Sequence, residues 1–371
     1  MYKQIKYVGN IFMNAILAVA FMSMLFVSCS DNDDIPDGPD PDLKVRAYVA
    51  CEGNFTKGTA SLNAIMEDGT VQTDIFRNAN NRPLGDVAQS FSIIDGKIFI
   101  TLNNSEKIEV VNESDYKSVA TILYPERTIS PQYVMQIDDH RAVVSDLWNA
   151  FLWIIDTKEY KVLQEIPVST YSTKQMAVAD GKLFVTLAAK KIAVISLSSL
   201  KVIKELDIPV VGDSKLLKDK NGLIWALACG FDDDPESIIP RTVTSLNGID
   251  PTTLETVKTV KFPSDYTVSK FGARLDINQA KDKLYLNVIH DNKEGIYSFP
   301  IDGEQLPAEP LFVYSDKVEL LYNMAVSPEE TIFICDALDY RQRGWVYEFD
   351  LSGKRLNEYQ VGIIPQYILF K

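Results

Sequence analysis

The chain has 371 residues, with 37 basic against 51 acidic side chains and a formal net charge of −14; 46% of its residues are hydrophobic and 24% charged. That is a globular composition, and one large all-β domain can use this much chain as readily as two smaller domains. The acidic balance argues against nucleic acid as a partner, because Lys and Arg dominate phosphate binding, and against adsorption to anionic lipid. Two histidines, His140 and His290, nearly exclude metal centres built on two or three imidazoles and leave a Ser-His-Asp triad only these rings to draw on.

Lys3 and Lys6 precede an apolar run from Ile11 to Val27, broken only by Asn14 and Ser23, and Ser28-Cys29 follow. A basic start, an apolar stretch and a small residue before a cut form the pattern of a secretory signal; a run of about 17 residues is marginal for a membrane span. Leu25-Phe26-Val27-Ser28-Cys29 resembles the bacterial lipobox, with Phe26 in place of its usual Leu. The resemblance implies that residues 1–28 are a signal peptide and that Cys29 becomes the lipidated first residue. Residues 29–44 then form a tether rich in Asp, Pro and Gly. Its composition suits a solvated spacer, and the acids directly after Cys29 resemble the surface-export signal of Bacteroidota lipoproteins; both can hold at once. The expectation is a protein lipid-anchored at the extracellular face of the cell outer membrane. Cys51, Cys229 and Cys335 remain, an odd number that cannot complete a disulfide framework, and each sits in an apolar run that suits a buried small hydrophobe.

From Val45 onward, short runs rich in Val, Ile, Tyr, Phe and Thr alternate with Gly, Asp and Asn turns, and no long stretch has helical spacing. Asp95-Gly96-Lys97-Ile98-Phe99-Ile100-Thr101 returns 85 residues later as Asp180-Gly181-Lys182-Leu183-Phe184-Val185-Thr186. A weaker copy lies midway at Asp139 to Ser145, others start at Asn221, Lys283 and Glu330, and the set begins at Ala47 to Cys51; these repeated strands read as inner strands, with Asp86 and Gln89 ahead of the one in the second unit. Seven units of about 47 residues each have the size of a four-stranded propeller blade. The predicted fold is therefore an all-β, seven-bladed propeller over residues 45–371. Ile363 to Phe370 reads as an innermost strand, which the first unit lacks, so the C-terminal strand is expected to close the first blade. The fifth unit carries a long insert, Cys229 to Arg241, whose three aspartates lack the ligand spacing of a known calcium loop.

No phosphate-binding glycine loop, dinucleotide fingerprint, nucleophile elbow or zinc-protease helix is present. Carboxylates are plentiful, but no acid/base pair is marked out. The expectation is a protein that is not an enzyme and has no cofactor or metal.

Cys51-Glu52-Gly53-Asn54-Phe55, Ala60-Ser61-Leu62, Arg82-Pro83-Leu84-Gly85-Asp86-Val87-Ala88-Gln89-Ser90 and Asn103 to Asn112 resemble the YncE-like, DUF5074-type propeller lipoproteins of Bacteroidota. Cys51 stands where the group's pattern has Asn. Within that group the architecture resembles the BtuG family, which implies capture of cobalamin or another corrinoid and delivery to a TonB-dependent outer-membrane receptor, by a protein monomeric apart from that receptor. A corrinoid is a flat ring with an apolar face and an amide rim, and one end of a propeller offers convergent aromatic and polar loops to hold it. The implied ligand-binding residues are Asp86, Gln89, Asn54, Asn103, Asn104, Trp148, Asn149, Phe231, Tyr340 and Arg343, with Glu52, Asp146, His290 and Arg341 also near strand ends. Plainer roles stay open for each: the asparagines as turn formers, Asp86 as a turn cap, Trp148 or Trp153 as packing between blades, His290 as a satisfied strand-end residue, and Glu52 and Asp336 as structural acceptors. The alternatives are a propeller scaffold, or a glycan- or protein-binding surface protein without corrinoid affinity; third comes a propeller lactonase or glycosidase.

Overall fold

A computed structural model describes residues 43–371 except 125, 169–171, 188–190, 231–242 and 271. The predicted signal peptide, the lipidation site Cys29, nearly all of the tether, Phe231 and most of the fifth-unit insert lie outside the described residues. Seven four-stranded antiparallel sheets form a seven-bladed β-propeller. Blade two shows the plan, with strands Ala88–Ile94, Lys97–Leu102, Lys107–Asn112 and Ser118–Leu123 running from the axis outward. Blade one is built from both ends of the chain. Its innermost strand is Pro365–Phe370, which pairs with Val45–Cys51 from Ala47↔Phe370 to Ala50↔Tyr367 before Ser61–Met66 and Val71–Gln72 complete the sheet. Closure by the C-terminal strand is thus as predicted, and it leaves no inner edge open.

One reading needs correction. The strands that repeat so clearly in the sequence are the second of each blade, not the innermost; the axial strands, such as Ala88–Ile94 and Leu321–Val326, precede them. Gln89 consequently lies inside an axial strand instead of before it. The connection from blade one to blade two also contains a short helix, Ile75–Asn80, whose Ile75 and Phe76 are buried. One and a half turns are too short for helical periodicity to register.

The strands form because their apolar residues are covered on both faces by neighbouring blades. Phe184, Ile192 and Val194 of blade four pack with Ile224, Ala226 and Ile249 of blade five, and equivalent clusters fill the other gaps. Trp153 belongs to the layer between blades two and three, whereas Trp148 is 66% exposed, which settles which of the two packs inside. The repeated Asp-Gly pairs have a conformational cause. Asp95 and Asp180 adopt φ 49° and Gly96 and Gly181 φ 67°, so both turns hold two consecutive left-handed residues, the geometry of tight hairpins that Asp-Gly tolerates best.

The outermost strands share a further irregularity. In blades two, three, four, five and seven the pairing with the third strand skips one residue: Val119, Leu163, Ile203, Val257 and Leu356. Each is a β-bulge, and each bulged residue is an aliphatic between 41% and 56% exposed. Blades one and six instead end in two-residue strands, Val71–Gln72 and Phe312–Val313.

Alternation of strand direction sends the loops between second and third strands, together with all connections between blades, to one end of the ring. The opposite end carries the first hairpin of each blade and both ends of the described chain.

Candidate functional site

The predicted site residues that the structure describes all lie at the connection end. Asn54 is in the loop after Val45–Cys51, Asp86 precedes the axial strand holding Gln89, and Asn103 and Asn104 form a single 3-10 turn, Asn103–Ser105. Trp148 and Asn149 follow Arg141–Asp146, Tyr340 follows Ile332–Asp336, and Arg343 opens Arg343–Phe349.

Their chemistry differs. Asp86 is buried; its N–H donates to Ser105 Oγ (2.8 Å) and its Oδ2 accepts from Asn104 Nδ2 (2.8 Å). Asn103 is buried and its N–H bonds Val87 O at 2.9 Å. These contacts tie the connection from blade one to the Asn103–Ser105 turn, with Gly85 (φ 151°) between them; a Cβ on Gly85 would lie 2.8 Å from Ser105 Oγ. The Pro83-to-Ser90 motif is therefore a latch, and Asp86 fixes a neighbouring turn, not its own. Asn149 bonds Asp146 Oδ1 (3.0 Å) and Thr128 O (3.1 Å), while Asp146 accepts the N–H groups of Ser130, Trp148 and Asn149. Arg343 donates to Val361 O (2.7 Å) and Gln360 O (3.2 Å), so its guanidinium holds the edge of its own blade. His290 lies 3.1 Å from Asp265 Oδ2 and stacks on Tyr266 at 4.0 Å, which makes it a partnered strand-end residue. Asp336 accepts three backbone N–H groups, a structural role.

Asn104 and Arg343 are exposed at this end, and three aromatic rings stand open beside them. Phe55 (68%), Trp148 (66%) and Tyr340 (46%) are exposed from blades one, three and seven. Asn54 Nδ2 donates to Tyr340 O (2.6 Å), fastening the loops of blades one and seven together.

Inside this rim, at the axis, lies a polar cluster of which the sequence singled out only Glu52. Glu52 accepts from the Tyr322 hydroxyl at 3.0 Å, and the Tyr322 ring stands edge-on to Tyr340 at 5.9 Å. Lys174 pairs with Asp213 at 2.8 Å, and Lys215 with Asp276 at 2.9 Å. Arg274 is buried and donates to the backbone oxygens of Ala273 and Tyr322. Burial pushes the Glu52 carboxyl up to about 7; the Tyr322 bond opposes the rise and Asp213 adds to it. Burial also favours the neutral form of Asp213, but the charges of Lys174 and Arg274 outweigh it and hold this carboxyl below its ordinary range. Burial, then Glu52, keeps Tyr322 far above the usual phenol range. Apart from Glu52, which follows the second strand of blade one, these groups come from axial strands and the connections before them, which carry no repeated signature. The usable signal is position: Lys174 and Tyr322 are each the second residue of an axial strand.

A cavity of 310 Å³ opens beside this mouth between blades six and seven, lined by Arg274, Asn287, Glu294, Tyr314, Tyr322 and Tyr340 among others. A second of 570 Å³, at the same end between blades two and three, is bordered by Asn104, Leu123, Tyr124 and Arg127. Among the described residues no group of three or more His, Cys, Asp or Glu side chains could hold a metal ion.

Fold and site together define a seven-bladed propeller with an aromatic-rimmed, charged axial mouth at its connection end. The profile of DUF5074, a domain of unknown function, matches residues 46–370, and the chain belongs to that family. No curated protein matches the sequence. Among solved structures, a quinonprotein alcohol dehydrogenase-like protein of Bacteroides thetaiotaomicron is similar with a TM-score of 0.64 at 14% identity, over 88% of this chain and 78% of that one. The hydrazine synthase of Kuenenia stuttgartiensis is similar with a TM-score of 0.56 at 12% identity, over 74% and 86% of the two chains. Likeness at such identities carries the propeller fold alone.

Proposed function

We propose that this protein is a non-catalytic, lipid-anchored surface protein that binds cobalamin or a related corrinoid at the connection end of the ring and hands it to a TonB-dependent outer-membrane receptor. The observation that carries the reading is the placement of Phe55, Trp148 and Tyr340, exposed from three blades around one polar mouth. Large apolar side chains left in water at one end of a ring suit a broad, flat ligand with an apolar face, and the polar groups inside the rim suit its amide edge. The lipobox-like Leu25-to-Cys29 segment and the acids after it support anchoring at the outer face of the cell outer membrane.

Calorimetry of the unlipidated Cys29→Ser protein with cyanocobalamin and cobinamide tests the reading. Saturable heat at micromolar concentrations, and a pink colour that survives desalting, are expected. No heat with either corrinoid, alongside binding to a surface glycan, moves the assignment to the glycan-binding alternative.

A further inference from the structure

Blade one and the connection from blade four to blade five lie across the ring from each other, and each brings one carboxylate to the mouth. Glu52 Oε2 is bonded by Tyr322 and Asp213 Oδ1 by Lys174. The remaining oxygens, Glu52 Oε1 and Asp213 Oδ2, have no hydrogen-bond donor among the described residues, and neither is sealed from solvent. Two open acceptors thus face one mouth. The charges around them decide what fits. Lys174 and Arg274 balance ionised Glu52 and Asp213, and Lys215 with Asp276 adds a neutral pair. In that balanced set an ammonium or a carboxylate ligand gains from one pair of charges what it loses to the other, and its own desolvation goes uncompensated. A neutral donor meets neither penalty.

We propose that the axial mouth grips a primary carboxamide, its two N–H hydrogens donated to Glu52 Oε1 and Asp213 Oδ2. The inference rests on the connection end being the binding face, and it names the ligand group that enters the axis. It also gives the site a pH response. Only ionised Glu52 accepts a charge-assisted bond, and burial holds this carboxyl at about 7. The other groups facing it do not change charge in that range. Asp213 is held low beside Lys174, while Tyr133, Tyr322 and Tyr340 are raised and stay neutral. Arg274 adds a guanidinium beside Glu52. Binding is therefore linked to release of the Glu52 proton in acid, so affinity falls as pH drops through about 7, by up to the roughly tenfold loss expected of a neutral acceptor, and is flat above it.

The test is calorimetry with cyanocobalamin from pH 5.5 to 8.5, in buffers of different ionisation heat, on the wild type and Glu52→Gln. The wild type should release a proton on binding below pH 7. Glu52→Gln should bind about tenfold more weakly at pH 8 and show no pH dependence. Tight binding that is pH-independent, or unchanged in Glu52→Gln, overturns the carboxamide site and leaves the corrinoid reading standing. If cyanocobalamin does not bind, the corrinoid reading falls, and ligand-detected NMR with adipamide, a soluble diamide, decides the site alone. A signal lost in Glu52→Gln supports it; no signal, or one indifferent to the substitution, overturns it.

Discussion

Arg46 and Glu348, 302 residues apart in the chain, form a two-pronged ion pair, Nη1 to Oε2 at 2.8 Å and Nη2 to Oε1 at 2.7 Å. Arg46 belongs to blade one and Glu348 to the third strand of blade seven, so the pair spans the seam where the two ends of the ring meet. Glu348 is 2% exposed and also receives Thr331 Oγ1, Asn357 Nδ2 and the Tyr359 hydroxyl. Burial alone would raise its carboxyl, but the bonds from Arg46, Asn357 and Thr331 prevail and hold it at about 2.

Arg46→Ala leaves that carboxylate buried without its cation and should destabilise the domain by about 2–4 kcal/mol, read from urea unfolding at pH 7. The sign of the pH effect follows from the depressed value. The Glu348 contribution is complete above an unfolded-state value of about 4.5 and is lost as pH falls from there toward about 2. Stability measured from pH 6 to pH 2.5 should fall less steeply in an Arg46→Met, Glu348→Gln double variant than in the wild type; equal slopes would remove the pair from the account.

Truncation after Gly362 deletes the whole axial strand of blade one, Pro365–Phe370. That strand supplies Tyr367, which packs edge-on to Phe91 at 5.4 Å, and Ile368, buried at the blade-seven seam. The expected outcome is loss of the cooperative thermal transition. A truncated form melting at the wild-type temperature would show that the ring does not depend on this closure.

Gly85→Ala places a methyl 2.8 Å from Ser105 Oγ, on a backbone at φ 151° that L-residues rarely adopt. A cost of about 1–3 kcal/mol is expected, with the Asp86–Asn104 bond loosened. Adding Ser105→Ala should recover the steric part but not the backbone part.

Trp148→Ala removes an exposed ring and should leave thermal stability within about 0.5 kcal/mol of wild type. On the proposed function its corrinoid affinity should drop by about 1–3 kcal/mol, the usual cost of losing an aromatic anchor. Unchanged affinity would place the ligand away from blade three.

The blade count, the ring closure and the burial of Cys51, Cys229 and Cys335 were legible in the sequence because each depends on local pattern: period, turn residues and apolar runs. Asp95-Gly96 and Asp180-Gly181 marked hairpins so plainly that the strands after them stood out, which is why second strands passed for axial ones. The site was only half legible. Trp148 and Tyr340 could be assigned to an end of the ring by strand direction alone. Glu52, Asp213 and Tyr322 could not be grouped, because 270 residues separate Glu52 from its hydroxyl partner and only ring closure unites them. Arg343 looked free because the carbonyls that hold it belong to the next strand.

The five bulges bear on how such molecules behave in a crowd. A propeller is a set of separate sheets, each ending in an outward row of unpaired N–H and C=O groups that invites a foreign strand. At Val119, Leu163, Ile203, Val257 and Leu356 the extra residue breaks that row, and the two remaining blades finish in strands two residues long. Neighbouring copies therefore find no uninterrupted ladder along which to zip together.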